Sequence, residues 1–186
     1  NGNKTSFTDR LGRKTIYDYD KLGRLTKTIY ADGTTETVEY DAVGNVVKKT
    51  DGRGNSTTYG YDATGRNTSV TDALGNTTLY EYDSKGNKTK VTDANGNTTE
   101  YEYDLAGRNV KIIYCDGTFV INEYDTNGNK ISETDQAGKK TTYEYRADGK
   151  IIKVVDALNN EVSFEYDEVG NLIAQIDANG NITKFE

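Results

Sequence analysis

Carboxylates are the most abundant side chains in this sequence that could carry out chemistry. The 186 residues include 30 Asp and Glu against 23 Lys and Arg, for a net charge of −7. Paired carboxylates serve as general acid and base when one asymmetric environment separates their pKa values. Here the aspartates recur at equivalent positions along the whole chain, which does not favour a single asymmetric site. We interpret them as turn formers, because an Asp carboxylate accepts hydrogen bonds from backbone N–H groups two residues on.

Other groups for catalysis and metal binding are scarce. The sequence has no His, and Cys115 is the one cysteine. Without His, the Ser-His-Asp and Cys-His nucleophile systems and the usual zinc sites are excluded. A lone cysteine cannot form an intrachain disulfide, and Cys115 lies in a turn where other repeats have small or polar residues. We therefore expect a protein that is not an enzyme, with no catalytic residue, no metal site and no cofactor.

Two turns superficially resemble calcium-binding loops. Residues 93–97 and 177–181 both read Asp-Ala-Asn-Gly-Asn. An EF-hand loop has Gly at position 6 and Glu at position 12. Here Gly stands at position 4, and position 12 of the first loop is Asp104. A plain turn is the preferred interpretation of both segments.

The elements that position these groups repeat every 21 residues. Each repeat has a tyrosine, followed directly by aspartate in seven cases of eight and by Arg146 in the remaining one. The repeating tyrosines are Tyr19, Tyr40, Tyr61, Tyr82, Tyr103, Tyr124, Tyr145 and Tyr166. A turn glycine follows each tyrosine, at Gly23, Gly44, Gly65, Gly86, Gly107, Gly128, Gly149 and Gly170. A fixed period of this size predicts a repeat architecture, and we expect these tyrosines and glycines to be its structural residues.

Each repeat contains two turns separated by two strands. The first turn reads Tyr-Asp-x-x-Gly-(Asn/Arg) and the second Asp-x-x-Gly-Asn. For both we predict a four-residue connection built on a type I turn that ends in a left-handed glycine. Asn159 stands in one glycine position of the second turn. Asn is the next residue type to tolerate that backbone conformation, so the exception supports the prediction.

The two strands of a repeat differ in their side-chain pattern. Residues 99–103, Thr-Glu-Tyr-Glu-Tyr, alternate strictly, which is typical of a strand with one face in water. One face of every second strand should therefore carry a tyrosine-rich stripe. The other strand has β-branched residues three and six positions after glycine, such as Val110 and Ile113. This odd separation indicates either a sheet wetted on both faces or a β-bulge that swaps the faces.

These patterns predict an all-β fold. We expect an antiparallel meander of 21-residue two-strand repeats that forms one long curled sheet, because right-handed twist curls so wide a sheet. Hydrophobic residues make up 33% of the chain, too few for a thick core. Residues 1–186 should form a single array of about nine repeats, cut from a longer protein.

The charge pattern and the sheet edges bear on possible partners. No basic run is present, so binding to nucleic acid or to an anionic membrane surface is not expected. No apolar stretch of ~18 residues is present either, so membrane insertion by a helix is not expected. The open edge strands of such an array favour self-association. The tyrosine stripe could also stack on sugar rings, although packing within the sheet is the preferred interpretation.

The repeat resembles a known family. Residues 19–26, Tyr-Asp-Lys-Leu-Gly-Arg-Leu-Thr, and residues 93–104 are similar to YD repeats, also called Rhs repeats, and the resemblance covers the whole chain. The family includes bacterial Rhs polymorphic toxins, shell components of insecticidal toxin complexes, and teneurins. Its repeats form a β-sheet ribbon that spirals into a hollow cocoon, and in the bacterial members the cocoon encloses a toxic C-terminal domain.

The resemblance implies a function for this chain. It would be a structural module, secreted or at a bacterial cell surface, in the wall of a β-cocoon or spiral shell that encapsulates or presents a toxin or effector domain. Its partners would be the remainder of its own shell and the enclosed domain. The Pro-containing core motif, the self-cleavage site and the toxin domain of the bacterial shells are not found in the sequence. The alternative is an extracellular adhesion or carbohydrate-binding repeat module.

Overall fold

The computed structural model describes residues 2–185, and within this range it contains eighteen β-strands and no helix. The strands are β1 (Ser6–Thr8), β2 (Lys14–Tyr19), β3 (Leu25–Ile29), β4 (Thr35–Tyr40), β5 (Val46–Thr50), β6 (Ser56–Tyr61), β7 (Asn67–Thr71), β8 (Thr77–Tyr82), β9 (Lys88–Thr92), β10 (Thr98–Tyr103), β11 (Asn109–Ile113), β12 (Phe119–Tyr124), β13 (Lys130–Thr134), β14 (Lys140–Tyr145), β15 (Ile151–Val155), β16 (Glu161–Tyr166), β17 (Leu172–Ile176) and β18 (Ile182–Lys184). None of the described residues forms a helix that could cross a membrane.

Two strand types alternate along the chain. Strands of six residues that end on a repeating tyrosine, here called tyrosine strands, are followed by strands of five residues, here called aliphatic strands. The chain divides into two compact units. The first contains the residues up to Tyr82 together with Lys90–Asn97, and the second contains Asp83–Thr89 and the residues from Thr98 onward.

Within each compact unit, every strand pairs with the next one along the chain. In the first unit, β1 to β8 form consecutive antiparallel pairs. In the second unit, β10 to β18 do the same. Sequential antiparallel pairing needs only short connections, which the turn residues supply. The predicted all-β antiparallel meander of two-strand repeats is confirmed.

The connections are shorter than predicted. After β10, the Asp104 N–H donates to the Arg108 carbonyl at 3.0 Å, and the Gly107 N–H donates to the Asp104 carbonyl at 3.0 Å. Asp104 and Arg108 thus pair with each other and leave three residues in the loop, not four. This is a type I turn closed by a left-handed residue, and Gly107 has φ of 80°. Asn159, in the glycine position of another turn, has φ of 64°.

A β-bulge explains the odd spacing of the β-branched residues. Tyr103 pairs with Asn109 and Glu102 pairs with Lys111, so Val110 is an extra residue on β11. The same shift recurs in the described pairs of a tyrosine strand with the aliphatic strand after it, and the other extra residues are Thr26, Val47, Thr68, Ile131, Ile152 and Ile173. Of the two sequence interpretations, the bulge that swaps the faces is therefore present in these pairs.

The bulge sorts the side chains onto two faces. Tyr101 pairs with Ile112 on the face that also carries the repeating tyrosines, here called the tyrosine face. Glu100 and Glu102 point to the opposite, charged face and are exposed, whereas Tyr101 is half-buried. Among the described residues only Ala174, Thr28 and Ser132 are buried. Stability must therefore come from backbone ladders and cross-strand pairs, each worth about 0.2–1 kcal/mol, and not from a thick core.

One turn offers a matched test of the left-handed glycine. Gly54 has φ of 87°, and a Cβ added there would meet nothing within 4 Å. Gly54→Ala should thus cost backbone strain alone, about 1–2 kcal/mol of unfolding free energy. Gly52 lies in the same turn outside the left-handed region, at a position where other repeats have Ala73 or Ala94.

Gly52→Ala is therefore the control, expected to leave stability unchanged or slightly raised. Chemical denaturation followed by circular dichroism measures both variants. Equal midpoints for the two would show that left-handed backbone is not what requires glycine here.

Candidate functional site

The hydroxyl of each repeating tyrosine bonds the backbone of the preceding repeat. Tyr124 Oη, for example, donates to the Asn109 carbonyl at 3.0 Å. All eight tyrosines make this bond, to an acceptor 15 residues earlier and over 2.8–3.0 Å. The acceptors are the carbonyls of Lys4, Leu25, Val46, Asn67, Lys88, Asn109, Lys130 and Ile151. We call this series of bonds the tyrosine ladder.

The bulge places these carbonyls within reach of the tyrosine hydroxyls. The β11–β12 pairing covers Lys111–Ile113 and Phe119–Ile121, so Asn109 and Tyr124 lie beyond it. On its other side, Asn109 pairs with Tyr103 across the bulge. The hydroxyl of Tyr124 thus supplies a donor to a part-buried carbonyl where the backbone ladder with β12 has stopped. Each such residue connects two tyrosines, one in its own repeat and one in the next.

Aspartates hold the turns beside the ladder. Asp125 Oδ1 accepts from the backbone N–H groups of Asn127 and Asn129 at 2.9 and 2.8 Å, and Oδ2 accepts from Asn129 Nδ2 at 2.9 Å. The Asn129 side chain and these N–H groups hold the pKa of Asp125 below its ordinary value. A carboxylate in this state is a poor general base at neutral pH. Residues 2–185 contain no cluster of acidic or cysteine side chains suited to a metal ion.

The residue after each turn glycine alternates between Asn and a cation. The series is Asn3, Arg24, Asn45, Arg66, Asn87, Arg108, Asn129, Lys150 and Asn171. Arg108 holds Asp104 as Asn129 holds Asp125, but it also reaches the next repeat. Its guanidinium lies 4.8 Å from the ring centroid of Tyr124, and Nη1 donates to the Asp125 carbonyl at 2.9 Å. This cation–π contact stabilises every second junction between repeats.

Arg24 and Arg66 stack in the same way. Their guanidinium carbons lie 4.5 Å and 5.0 Å from the rings of Tyr40 and Tyr82. The sequence interpretation treated Asn and Arg at this position as equivalent turn residues and missed this role. The signal was nevertheless present, because the two residue types alternate strictly up to Lys150.

One repeat has arginine in place of the aspartate that follows the repeating tyrosine, and it still places a cation near the tyrosine ring of the next repeat. Arg146 replaces Asp, and its guanidinium lies 5.4 Å from the Tyr166 ring. Asp148 pairs with Arg146, and this hydrogen bond lowers the pKa of Asp148 to about 2. Lys150 donates to the Gly170 carbonyl at 2.6 Å. Lys150 Nζ also lies 5.4 Å from the Tyr166 ring, so cations from two positions of this repeat contact the tyrosine of the following one.

The predicted turn glycines all have left-handed backbone. The eight have φ between 80° and 105°.

A shallow cleft of about 350 Å³ lies beside the second turns, lined by Phe7, Asp9, Arg13 and Tyr30 among others. The cleft combines a carboxylate, a guanidinium and an aromatic ring. However, the Asp9 carboxylate forms an ion pair with Arg13 at 2.7 Å. The described contacts therefore join successive repeats and recur along the chain, as expected of a structural role.

Comparison with known proteins finds families and folds to which this chain is similar. A family model described as Teneurin YD-shell matches residues 35–185, and one described as RHS Repeat matches residues 1–35. No curated protein matches the chain.

Several solved structures have a similar fold. The Photorhabdus luminescens Tc holotoxin pore with a mutated TccC3 aligns with a TM-score of 0.73 over 92% of this chain at 18% identity. The TcdB2–TccC3–Cdc42 crystal structure aligns with a TM-score of 0.58 over 95% at 19% identity. This chain spans about 12% of the length of each of these chains. At such identities the likeness concerns the fold alone.

Removal of one hydroxyl tests the tyrosine ladder. Tyr145→Phe keeps the ring and leaves the part-buried Lys130 carbonyl without its donor, which bonds it at 2.8 Å. We expect a loss of about 1–3 kcal/mol in unfolding free energy, because a desolvated acceptor loses its hydrogen bond. Thermal and urea denaturation measure the loss.

The control lies on the same strand. Tyr143→Phe removes a hydroxyl at a position where the next repeat has Phe164, so it should change stability little. Equal effects of the two substitutions would contradict a specific role for the ladder.

Replacement of one arginine tests the contact of arginine with the tyrosine of the next repeat. Arg108→Asn recreates the turn found at Asn129 but removes both the contact with the Tyr124 ring and the hydrogen bond to the Asp125 carbonyl, so we expect a loss of at least about 0.5–1 kcal/mol in unfolding free energy. Arg13→Asn is the matched control, because Arg13 holds Asp9 in the same way and lies on the edge formed by the second turns. A loss as large in Arg13→Asn as in Arg108→Asn would assign the effect to the turn and not to the contacts of Arg108 with the next repeat.

Proposed function

Because this chain belongs to the Teneurin YD-shell family, with an RHS repeat at residues 1–35, we propose that it forms part of the wall of a hollow β-shell. The shell encapsulates or presents a toxin or effector domain. The partners of this chain are the remainder of its own shell and that domain. The chain acts by confinement, keeping the enclosed domain from protease and from premature contact.

The tyrosine ladder is the observation that carries this proposal. Each repeat is tied to the one before it by the same hydroxyl bond, as Tyr145 is to Lys130. Stability that depends on nearest neighbours lets a wall extend by adding repeats, without a core that limits its width. Only three of the described residues are buried, which suits a wall better than a solid globule.

The hydrogen bonding of the turn aspartates supports a structural role without catalysis. The aspartates of the turns are bonded to their own loops, as Asp93 is to Asn97. The pKa of Asp93 is lowered, first by the Asn97 side chain, which suits a turn and not proton transfer near neutral pH. The family is itself one of structural shell modules.

We place the protein outside the cell, secreted or at a bacterial cell surface. This placement rests on the family and on the Photorhabdus luminescens Tc holotoxin among the structural neighbours. Residues 1–186 would act as a single array of about nine repeats within a longer shell protein. This chain spans about 12% of the Photorhabdus luminescens chain to which it is similar, which supports that arrangement.

The adhesion or carbohydrate-binding alternative has less support. Sugar binding needs aromatic faces and hydroxyls that are free to meet a ligand. The repeating tyrosines donate their hydroxyls to backbone carbonyls, and Arg24 and Arg108 cover the rings of Tyr40 and Tyr124. These hydroxyls and rings are therefore already bonded within the protein and are not free to contact a sugar.

Limited proteolysis of the full-length protein tests the proposal. If this array is part of a closed wall, the enclosed domain should resist proteinase K in the intact protein and be cut rapidly when expressed alone. Tyr124→Ala combined with Tyr145→Ala should open the wall and raise the cleavage rate, whereas Tyr143→Phe should not. Equal cleavage of the domain inside and outside the full-length protein would contradict the shell. Glycan binding lost in the same double variant would favour adhesion.

A further inference from the structure

Three turns contain an asparagine directly before their left-handed glycine. These pairs are Asn95-Gly96, Asn127-Gly128 and Asn179-Gly180. The three asparagines are exposed, and their side-chain amides have no hydrogen-bond partner among the described residues. The asparagine two positions later differs, since Asn97 Nδ2 donates to Asp93 Oδ2 at 2.8 Å. Each of the three turns therefore has one free amide and one bonded amide.

An exposed asparagine followed by glycine is chemically suited to deamidation. The glycine nitrogen attacks Cγ of the asparagine side chain and forms a C–N bond that closes a cyclic imide. The Cγ–Nδ2 bond breaks, and Nδ2 leaves as ammonia with the proton of the glycine N–H. Water then opens the imide, which gives aspartate or an isomer whose main chain runs through the side-chain carbons. Glycine favours the attack because it has no side chain to obstruct it.

In the folded turn the attacking nitrogen is held by one backbone hydrogen bond. The Gly96 N–H donates to the Asp93 carbonyl at 3.0 Å, and the Gly128 N–H donates to the Asp125 carbonyl at 3.2 Å. Both bonds lie in exposed loops, which open locally without separation of the strands. Imide formation therefore requires opening of the turn and not unfolding of the array.

The turns differ in what resists this opening. Arg108 Nη1 also donates to the Asp125 carbonyl at 2.9 Å, and its guanidinium lies over the ring of Tyr124 directly before that turn. Among the described residues, no hydrogen bond from another turn reaches residues 93–97. The turn that contains Asn95 should therefore open more often than the turn that contains Asn127.

Deamidation would give a turn a second aspartate, an arrangement that the described turns avoid. Each has aspartate at its first or its third position and none has it at both. In the Asp93 turn, the Asn97 N–H donates to Oδ1 of the first-position Asp93 at 2.8 Å. In the turn that begins with Tyr30, the Thr34 N–H donates to Oδ1 of the third-position Asp32 at 2.9 Å. Carboxylates at both positions would compete for one N–H and repel each other.

We infer that Asn95, Asn127 and Asn179 are sites of spontaneous deamidation in the folded protein, and that each event weakens its turn. Asn95 reacts faster than Asn127, because Arg108 restrains the turn of Asn127. Each aspartate formed adds a negative charge to a chain whose net charge is already −7. The isomer also lengthens the main chain of the loop by one carbon atom, which the short turn does not accommodate.

Peptide mass spectrometry of the folded protein, incubated in mildly alkaline buffer, tests the sites. Conversion of amide to acid should accumulate at Asn95, Asn127 and Asn179, and faster at Asn95 than at Asn127. It should be far slower at Asn97, whose amide is bonded and which Thr98 follows. In urea, the rates at Asn95 and Asn127 should become similar, because the turns no longer restrain them. Equal conversion at Asn97 and Asn95, or conversion only in urea, would overturn the inference.

Arg108→Asn tests the cause of the difference between the turns. Loss of the guanidinium should raise the rate at Asn127 by about two- to fivefold, the equivalent of one such contact. The rate at Asn95 should stay the same and serves as the reference within each molecule. Arg13→Asn is the control and should change neither rate, because Arg13 holds Asp9 in a different turn. An unchanged rate at Asn127 in Arg108→Asn would contradict the restraint.

Asn95→Asp reproduces one product and tests its effect on the turn. The midpoint of urea denaturation should fall at neutral pH, and the difference from the unaltered chain should disappear in acid. The repulsion needs both carboxylates charged, so it is present above their pKa values and is lost as the pH falls through them. Ala94→Asp is the matched control, because it adds the same charge at the second position, where Glu168 stands in another turn. Equal effects of the two substitutions would reject the competition for the Asn97 N–H.

Discussion

A hydrogen bond from one tyrosine hydroxyl to a backbone carbonyl 15 residues earlier is the contact on which this architecture depends. The bulge at Val110 adds a residue to β11 and ends its backbone pairing with β12 before Asn109 is reached. A part-buried carbonyl without a donor would be destabilising. Tyr124 supplies the donor from the next repeat, so one side chain both satisfies the bulge and joins two repeats. Phenylalanine would fill the same space but leave the carbonyl unbonded.

Because each contact between repeats involves only neighbouring repeats, the array tolerates residue substitutions that a thick core would not. Asn159 replaces glycine and still adopts the left-handed conformation. Arg146 replaces the turn aspartate and places its guanidinium over Tyr166. At Asn122, where most repeats have tyrosine, the amide nitrogen donates to the Asn109 carbonyl at 3.3 Å, which also accepts from Tyr124. The amide oxygen of Asn122 is buried without a partner among the described residues, so the array carries this cost at one repeat.

Much of the architecture follows from residue types and spacing. Turn aspartates and left-handed glycines at a fixed interval predict the meander, and the strands and their antiparallel order are confirmed. The family resemblance drawn from residues 19–26 and 93–104 is confirmed by the matches to the Teneurin YD-shell and RHS Repeat models. The loop length was predicted one residue too long, because pairing between Asp104 and Arg108 cannot be read from turn propensity alone. The roles of the repeating tyrosines and glycines in a shell remain proposals.

The sequence by itself determined the period, the strand types, the turns and the alternation of faces, since each depends on residues close together in the chain. Only the tertiary structure decided between a bulge and a sheet wetted on both faces. It also revealed the acceptor of each tyrosine hydroxyl and the stacking of Arg108 on Tyr124. These contacts join residues of successive repeats, and they depend on how far the bulge shifts one strand against its neighbour. That shift is a property of the paired backbone, so the pattern within a single strand left the bulge as one of two interpretations.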